Sequence, residues 1–431
     1  MKEKTKIESR VLRDKNGDAL FTKESKKDYT ILVPTMLPIH FRLLKKMLEL
    51  YGFNVEVLEN STSDVAQVGL RYVHNDICYP AILVISQLID AVLSGKYDTH
   101  KIGLVVVQTG GGCRASNYLH LLKKGLAKAG YDYIPILSFN FVGMKTQPGF
   151  KFGLGQLLGL LNAIVYGDLL MILKNQCKPY EKQKGETDKL VEFWLEKLEK
   201  EFENKKFLKY RHIKSNLEPI VESFAKIERL DIKKPKVGIV GENYVKYSPL
   251  GNNNLEDFLM EEGAEVYLSG FVDYLMYSVY NSVIDHKLYG MRFWNAIYSK
   301  IVYKIIYSKS LDIINAIKKE GTFRAPTKFD EILKMHEGYI GEGVKMGEGW
   351  LLPAEMVELI HSGVNNIVCT QPFGCLPNHI VGKGMMKIIR EKNPDANIVA
   401  IDYDASASRI NQENRIKLML SNAKEKLKNE K

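Results

Sequence analysis

Short apolar runs alternate with amphipathic helical stretches through the first third of the chain. YTILVPTM (29–36) reads as a buried strand, and PIHFRLLKKMLELYG (38–52) has helical spacing that stops at Gly52, a natural C-terminal residue. FNVEVLE (53–59) is a second strand, AILVISQLIDAVLSG (81–95) a helix and KIGLVVVQT (101–109) a strand. ASNYLHLLKKGLAKAG (115–130) then gives a helix and YIPILSFN (133–140) a strand. Strands spaced by helices of this length predict parallel βαβ units. The alternation restarts with KPKVGIVGENY (234–244) and NLEDFLMEEGAEVYL (254–268). It continues through a helical stretch at about 272–320, a strand in NNIVCTQ (365–371) and a helix at 379–394. A strand at 396–404 and a helix at 410–427 close the pattern.

The organisation that follows is a charged N-terminal extension (1–28), a first α/β domain (29–179), a helical connector (180–233) and a second α/β domain (234–431). The connector pattern VEFWLEKLEKEFENKKF predicts one long helix rather than a floppy linker. Two doubly wound parallel-sheet domains are expected, with no short-period repeat. At 431 residues, 45% hydrophobic and 26% charged, the chain suits a globular protein of more than one core.

Charge and apolar content narrow the classes. The run LGQLLGLLNAIVYGDLLMIL (154–173) is long enough to span a bilayer, but Gln156, Asn162, Asp168 and three glycines favour a buried interdomain helix. The start MKEKTKIESRVLRDKNGD has no apolar segment, so no secretory signal is expected there and the cytoplasm is the expected compartment. The net charge of +10 reads as a lysine-rich surface, with a basic approach for an acidic partner or a phosphate-bearing ligand such as coenzyme A as the alternative. No nucleic-acid signature accompanies it, and neither nucleic acid nor membrane is an expected partner.

The five cysteines carry the chemistry. Cys113 in LVVVQTGGGCRASNY and Cys375 in IVCTQPFGCLPNHI each follow a strand at a Gly- or Pro-flanked turn, and Cys78 in HNDICYPAI precedes a helix. Ligands of doubly wound sheets gather beyond the carboxyl ends of strands, so Cys113 and Cys375 are expected on opposite walls of an interdomain cleft that Cys78 joins. Exposed thiolates, favoured by helix N-termini, are expected there. Any single cysteine reads first as packing: Cys369 as core, Cys177 as an incidental loop residue. Three separated thiolates with no CxxC pair suit an iron–sulfur cluster with one open iron better than structural zinc. VGIVGENY (237–244) lacks the later glycines of GxGxxG and reads as ordinary strand-to-turn chain, and no Walker A sequence is present. HEGYIGEGVKMGEGW (336–350) reads first as a surface loop, with a mobile segment near a site as the alternative. Arg114, Ser116 and Asn117 after Cys113, and Asn378 after Cys375, are candidates for steadying an anionic cofactor, with ordinary capping as the alternative. His74 and Asn75 stand just before Cys78. His379 is the candidate proton donor.

CYPAILVISQLIDAVLSGKYD, QTGGGCRASNYLHLLKKGL, QPFGCLPNHIVGKGM and ANIVAIDYDASASRINQENRIKLML resemble the 2-hydroxyacyl-CoA dehydratase D-component superfamily. Within it they are most similar to the C-terminal region of large CoA-substrate-specific activase fusions. The resemblance runs from about residue 70 to 420. It implies flavodoxin-like domains with a [4Fe-4S] cluster on Cys78, Cys113 and Cys375 in the cleft between them. It implies an oxygen-sensitive protein and a separate ATP-hydrolysing iron–sulfur activator that delivers one low-potential electron. Radical dehydration or reduction of a CoA-linked or small substrate would follow. A non-catalytic electron carrier and a double-cubane [8Fe-9S] small-molecule reductase are the alternatives. The GGGC and QPFGC motifs are of the fusion type, the expected electron donor is another chain, and a dimer is expected.

Overall fold

The computed structural model describes residues 11–60, 64–74, 76–109, 111–140, 147–204 and 210–429. Residues 1–10 of the expected extension and Asn75 lie outside them.

Each half builds one four-stranded sheet in which every pairing is parallel. In the first, β1 (Thr30–Val33), β2 (Asn54–Val57), β3 (Ile102–Gln108) and β4 (Ile136–Asn140) lie in the order β2-β1-β3-β4. The second repeats that order as β6-β5-β7-β8, from β5 (Lys236–Gly241), β6 (Glu265–Leu268), β7 (Asn366–Pro372) and β8 (Asn397–Tyr403). Parallel sheets need helices on both faces, and the central strands β3 (IGLVVVQ) and β5 (KVGIVG) are correspondingly apolar, while edge strand β2 (NVEV) is not. Two α/β domains with a helical layer between them are therefore present, as the alternation predicts.

Helix α1 (Pro38–Leu50) starts at a proline, where a missing N–H costs nothing, and Gly52 beyond its end takes φ +83°. Helix α2 (Tyr79–Leu93) is buried nearly all round and shares one core with the second domain's Val237, Ile239, Tyr244 and Tyr403. Helix α3 (Tyr118–Ala129) follows β3, and α4 (Leu154–Cys177) is the apolar run. The segment Leu154–Tyr180 is the one span among the described residues long and apolar enough to cross a membrane, and 72% of its apolar window is buried in the protein.

Four expectations need correction. The single connecting helix is two, α5 (Glu186–Glu203) and α6 (Tyr210–Ala225), because the apolar stripe turns back to cover α4. They are pinned rather than spanning: Arg42 of α1 holds Glu192 at 2.6 Å and Glu199 at 3.0 Å. Residues before 29 are not all extension, since Phe21 is fully buried and its N–H donates to Gln147 Oε1 at 3.0 Å. Cys177 is no loop residue. It ends α4, fully buried, with Sγ 3.9 Å from the Phe224 carbonyl. The helix expected at 379–394 is broken into a π-turn (Asn378–Gly382), a 3₁₀ turn (Lys383–Met385) and a helix (Met386–Lys392). Gly382 permits this, because a Cβ there would stand 2.5 Å from Asn378 Oδ1.

The helical stretch at 272–320 is a hairpin, α7 (Phe271–Tyr289) and α8 (Phe293–Glu320). Helix α9 (Leu351–His361) leads into β7, and α10 (Arg409–Asn429) closes the chain on β8.

Candidate functional site

The two sheets turn the carboxyl ends of β3, β5 and β7 toward a shared cleft, and five segments meet there. Cys113 ends the loop after β3, with extended backbone (φ −76°, ψ 144°), and a 3₁₀ turn of Arg114–Asn117 begins after it. Cys78 sits just before α2 in the same extended state (φ −64°, ψ 147°), the backbone that an N-cap residue takes. Cys375 follows β7 in a tight turn where Gly374 has φ +70°. A Cβ on Gly374 would lie 3.1 Å from Cys78 Cα, so only glycine lets these two loops touch. The Tyr79 N–H donates to the Phe373 carbonyl at 2.9 Å, fastening α2 of one domain to the Cys375 turn of the other.

The remaining walls were not identified from sequence. Glu242, directly after β5, accepts from Val245 N–H at 2.9 Å and caps the short helix Asn243–Tyr247. Lys246 on that helix is 1% exposed and bonds Glu355 Oε1 at 2.8 Å and Ser269 Oγ at 2.6 Å. Glu348 comes from the glycine-rich loop and accepts from Asn243 N–H at 3.1 Å. Met346 reaches the Gly112 N–H with its sulfur at 3.0 Å. The 336–350 stretch is therefore cleft wall rather than bare surface: Trp350 is fully buried, and the Tyr277 hydroxyl ties the Lys345 carbonyl at 2.9 Å.

Gly349 holds the end of this loop at φ +45°, where a Cβ would meet the Val344 carbonyl at 2.4 Å. Gly349→Ala is expected to cost about 1–3 kcal/mol and to free the Glu348 loop. A lower urea midpoint with faster proteolysis confined to 341–350 would be the sign. An unchanged midpoint would contradict the geometry.

The thiols are buried, against expectation. Cys78 is 5% and Cys375 7% exposed, with Cys113 half-buried. The backbone N–H groups of Ala81, Ala115 and Asn378 do favour the three thiolates, as expected of helix starts, but burial outweighs them. Burial, then Glu242, pushes Cys78 up to about 11. Burial, then Glu348, pushes Cys113 up to about 12, and the same two causes raise Cys375 further. Cys113 also feels Cys78, and Cys375 feels Cys113, so the three share one electrostatic environment. The Tyr118 hydroxyl lies 3.9 Å from Cys78 Sγ. Among the described residues no group of three His, Cys, Asp or Glu side chains is gathered to hold a single ion. A multinuclear cluster separates its ligands more widely than an ion does. The donor set is rich in acidic groups: three thiols lie beside half-buried Glu242 and buried Glu348, and Glu348 raises Glu242, Cys113 and Cys375. Lys246 and Arg114 offset burial and these charges only in part, and a cationic cluster core would suit such a set.

Burial, then Glu348, raises Glu242 from 4.5 to about 8. A folded pKa above the unfolded one stabilises the fold at low pH, and that stability is lost as pH climbs through about 8. Metal-free protein should thus lose stability between pH 5 and 8, by at most ~1.4 kcal/mol per unit from this group. Glu242→Gln should flatten the slope of urea midpoint against pH. An equal slope in both proteins would contradict the assignment.

The other sequence candidates sit around rather than in this cleft. Ser116 Oγ bonds the Cys113 carbonyl at 2.6 Å, a local turn contact. Asn117 is exposed and makes no side-chain cap to α3. Arg114 is exposed, yet near enough to favour the Cys78 thiolate. Asn378 is fully buried with its amide spent on the Thr370 carbonyl at 3.2 Å, so it braces the turn after β7 and does not face a cofactor. His379 is exposed, not held over the cleft by a helix N-terminus, because the helix there is the broken π-turn. His74 is exposed and pairs with Asp76 at 3.1 Å. Cys369 is core, as expected. A separate cavity of about 60 Å³ lies beside β5 and β6, among Asp273, Arg324 and Glu355, and no cysteine lines it.

No family model matches this chain, and no curated protein matches it.

Proposed function

We propose that Cys78, Cys113 and Cys375 hold a [4Fe-4S] cluster. On this reading the chain is the cluster-bearing component of a system like the 2-hydroxyacyl-CoA dehydratases. The observation that carries it is the convergence of three thiols, from loops far apart in sequence and from both domains, in one buried, anion-rich cleft. The strand order in each sheet also supports it, being the flavodoxin order without a fifth strand. When bound, such a centre supplies one-electron chemistry at low potential and leaves one iron free of protein thiolate.

The chain's own contributions are specific. Gly374 lets the Cys375 turn approach the Cys78 backbone closely. The loop carrying Met346 and Glu348 lines the cleft, touching the Gly112 and Asn243 N–H groups. Glu242 and Glu348, whose burial favours the protonated form, are better placed than His379 to hold a proton beside the thiols. Low-potential electrons would come from an ATP-hydrolysing activator on another chain, and the substrate would be a CoA-linked or small molecule.

The test is the EPR signal of the reduced, reconstituted protein. A change on adding acyl-CoA esters or small reducible molecules supports a substrate-binding component. An unmoved signal with all of them supports the electron-carrier reading instead.

A further inference from the structure

The α7–α8 hairpin presents a bare apolar face. Trp294, Tyr298, Ile301 and Ile305 recur along α8 at helical spacing, and Trp294 and Tyr298 are 77% and 65% exposed. Tyr289 and Phe293 extend the stripe around the tip, where Gly290 (φ +65°) and Arg292 (φ +50°) reverse the chain. The opposite side of α8 is anchored through Ile306, Ile313 and Ile317. The helix is therefore amphipathic toward the body and still apolar toward solvent.

The size of this face argues for an occupant. The four aromatics alone expose roughly 500 Å², at ~150–250 Å² for each whole side chain. The neighbouring aliphatics carry the total toward the ~800 Å² per partner of a standard interface, beyond what a monomer usually leaves open. The stripe centre holds no charge. Lys300 and Lys304 lie along one flank, and no Asp or Glu occurs between Asp285 and Asp312. An uncharged aromatic centre with charge pushed to the rim is the composition of a permanent subunit interface. A single straight helix face meets its own copy across a two-fold axis without further complementarity.

We propose that this face is where two copies of the chain meet, α8 of one against α8 of the other. The consequence reaches the cleft. A Cβ on Gly343 would lie 3.2 Å from the Tyr289 hydroxyl, so the hairpin tip rests on the loop that carries Glu348. Pairing at the hairpin braces that loop. The inference does not depend on the cluster, and protein with and without iron should give the same result.

Sedimentation velocity from about 1 to 100 μM decides it. The wild type is expected to dimerise, and to do so more tightly as salt rises, because the facing flanks are both basic. Trp294→Glu with Tyr298→Glu should raise the dissociation constant about a hundredfold or more. Both residues are exposed, so far-UV circular dichroism should not change. Lys304→Glu should tighten the dimer and weaken its salt dependence. A monomer throughout, or a dimer indifferent to the Trp294 and Tyr298 changes, overturns the proposal. Trp294 also reports on competitors, since Trp194 and Trp350 are buried. A monomer whose fluorescence shifts blue on phosphatidylglycerol vesicles gives the face to lipid instead, and that too overturns it.

Discussion

Cys375→Ala is expected to strip the protein of nearly all reconstituted iron, and Cys78→Ala and Cys113→Ala should each do the same. A cluster already held by only three thiolates has no spare ligand, so losing one leaves it labile. Cys375 should be the most severe, because its turn contacts the Cys78 backbone through Gly374 and sits between the two domains. The control is internal. Cys177→Ala and Cys369→Ala remove buried thiols that only pack, against the Phe224 carbonyl and inside β7 respectively. Those variants should keep their iron while losing some stability, on the order of 1 kcal/mol. Iron lost equally from all five variants would mean that cysteine burial, not ligation, governs iron content.

Asp168→Ala should be the most destabilising single change. Its carboxylate is 2% exposed in the middle of α4 and accepts from the Phe271 and Val272 N–H groups at 2.7 and 2.9 Å. It thereby caps α7, the first helix after β6. It also meets His40 Nε2 of α1 at 2.8 Å, and His40 is 1% exposed. One side chain therefore ties α1 of the first domain to α7 of the second. Gly270 is glycine for the same reason, since a Cβ there would stand 2.7 Å from Asp168 Oδ2. Alanine leaves two helix N–H groups and a buried imidazole without partners, at a cost of about 3–5 kcal/mol. Chemical denaturation should register the loss, with Asp168→Asn intermediate because it keeps an acceptor. A cost below ~1 kcal/mol would mean that the domains are held by apolar packing alone.

The carboxylate that argued against a membrane span at 154–173 is this domain tie. Its polarity was legible in sequence, and its partners more than a hundred residues away were not.

The same division runs through the rest. Strands and helices were legible because periodicity and glycine stops are local. That both sheets share one strand order was hidden, since the α7–α8 hairpin lengthens the second half and no residue-level repeat survives. The thiol convergence was legible through the rule that sites lie beyond strand ends. That rule also applies to Glu242, directly after β5, but VGIVGENY around it reads as ordinary strand-to-turn chain. Glu348 gave no local signal, because glycines and carboxylates compose surface loops as readily as cleft walls. The thiols were expected exposed because turns usually are. Here two domains close over the turns, and closure is invisible to any single segment.

Anaerobic reconstitution followed by iron and acid-labile sulfide counting on the unmodified chain tests the central claim most directly. About four of each per chain are expected, and a count near eight iron would favour the double-cubane form instead. Bound iron without sulfide, stoichiometric zinc in its place, or iron retained when Cys78, Cys113 and Cys375 are all alanine would contradict it.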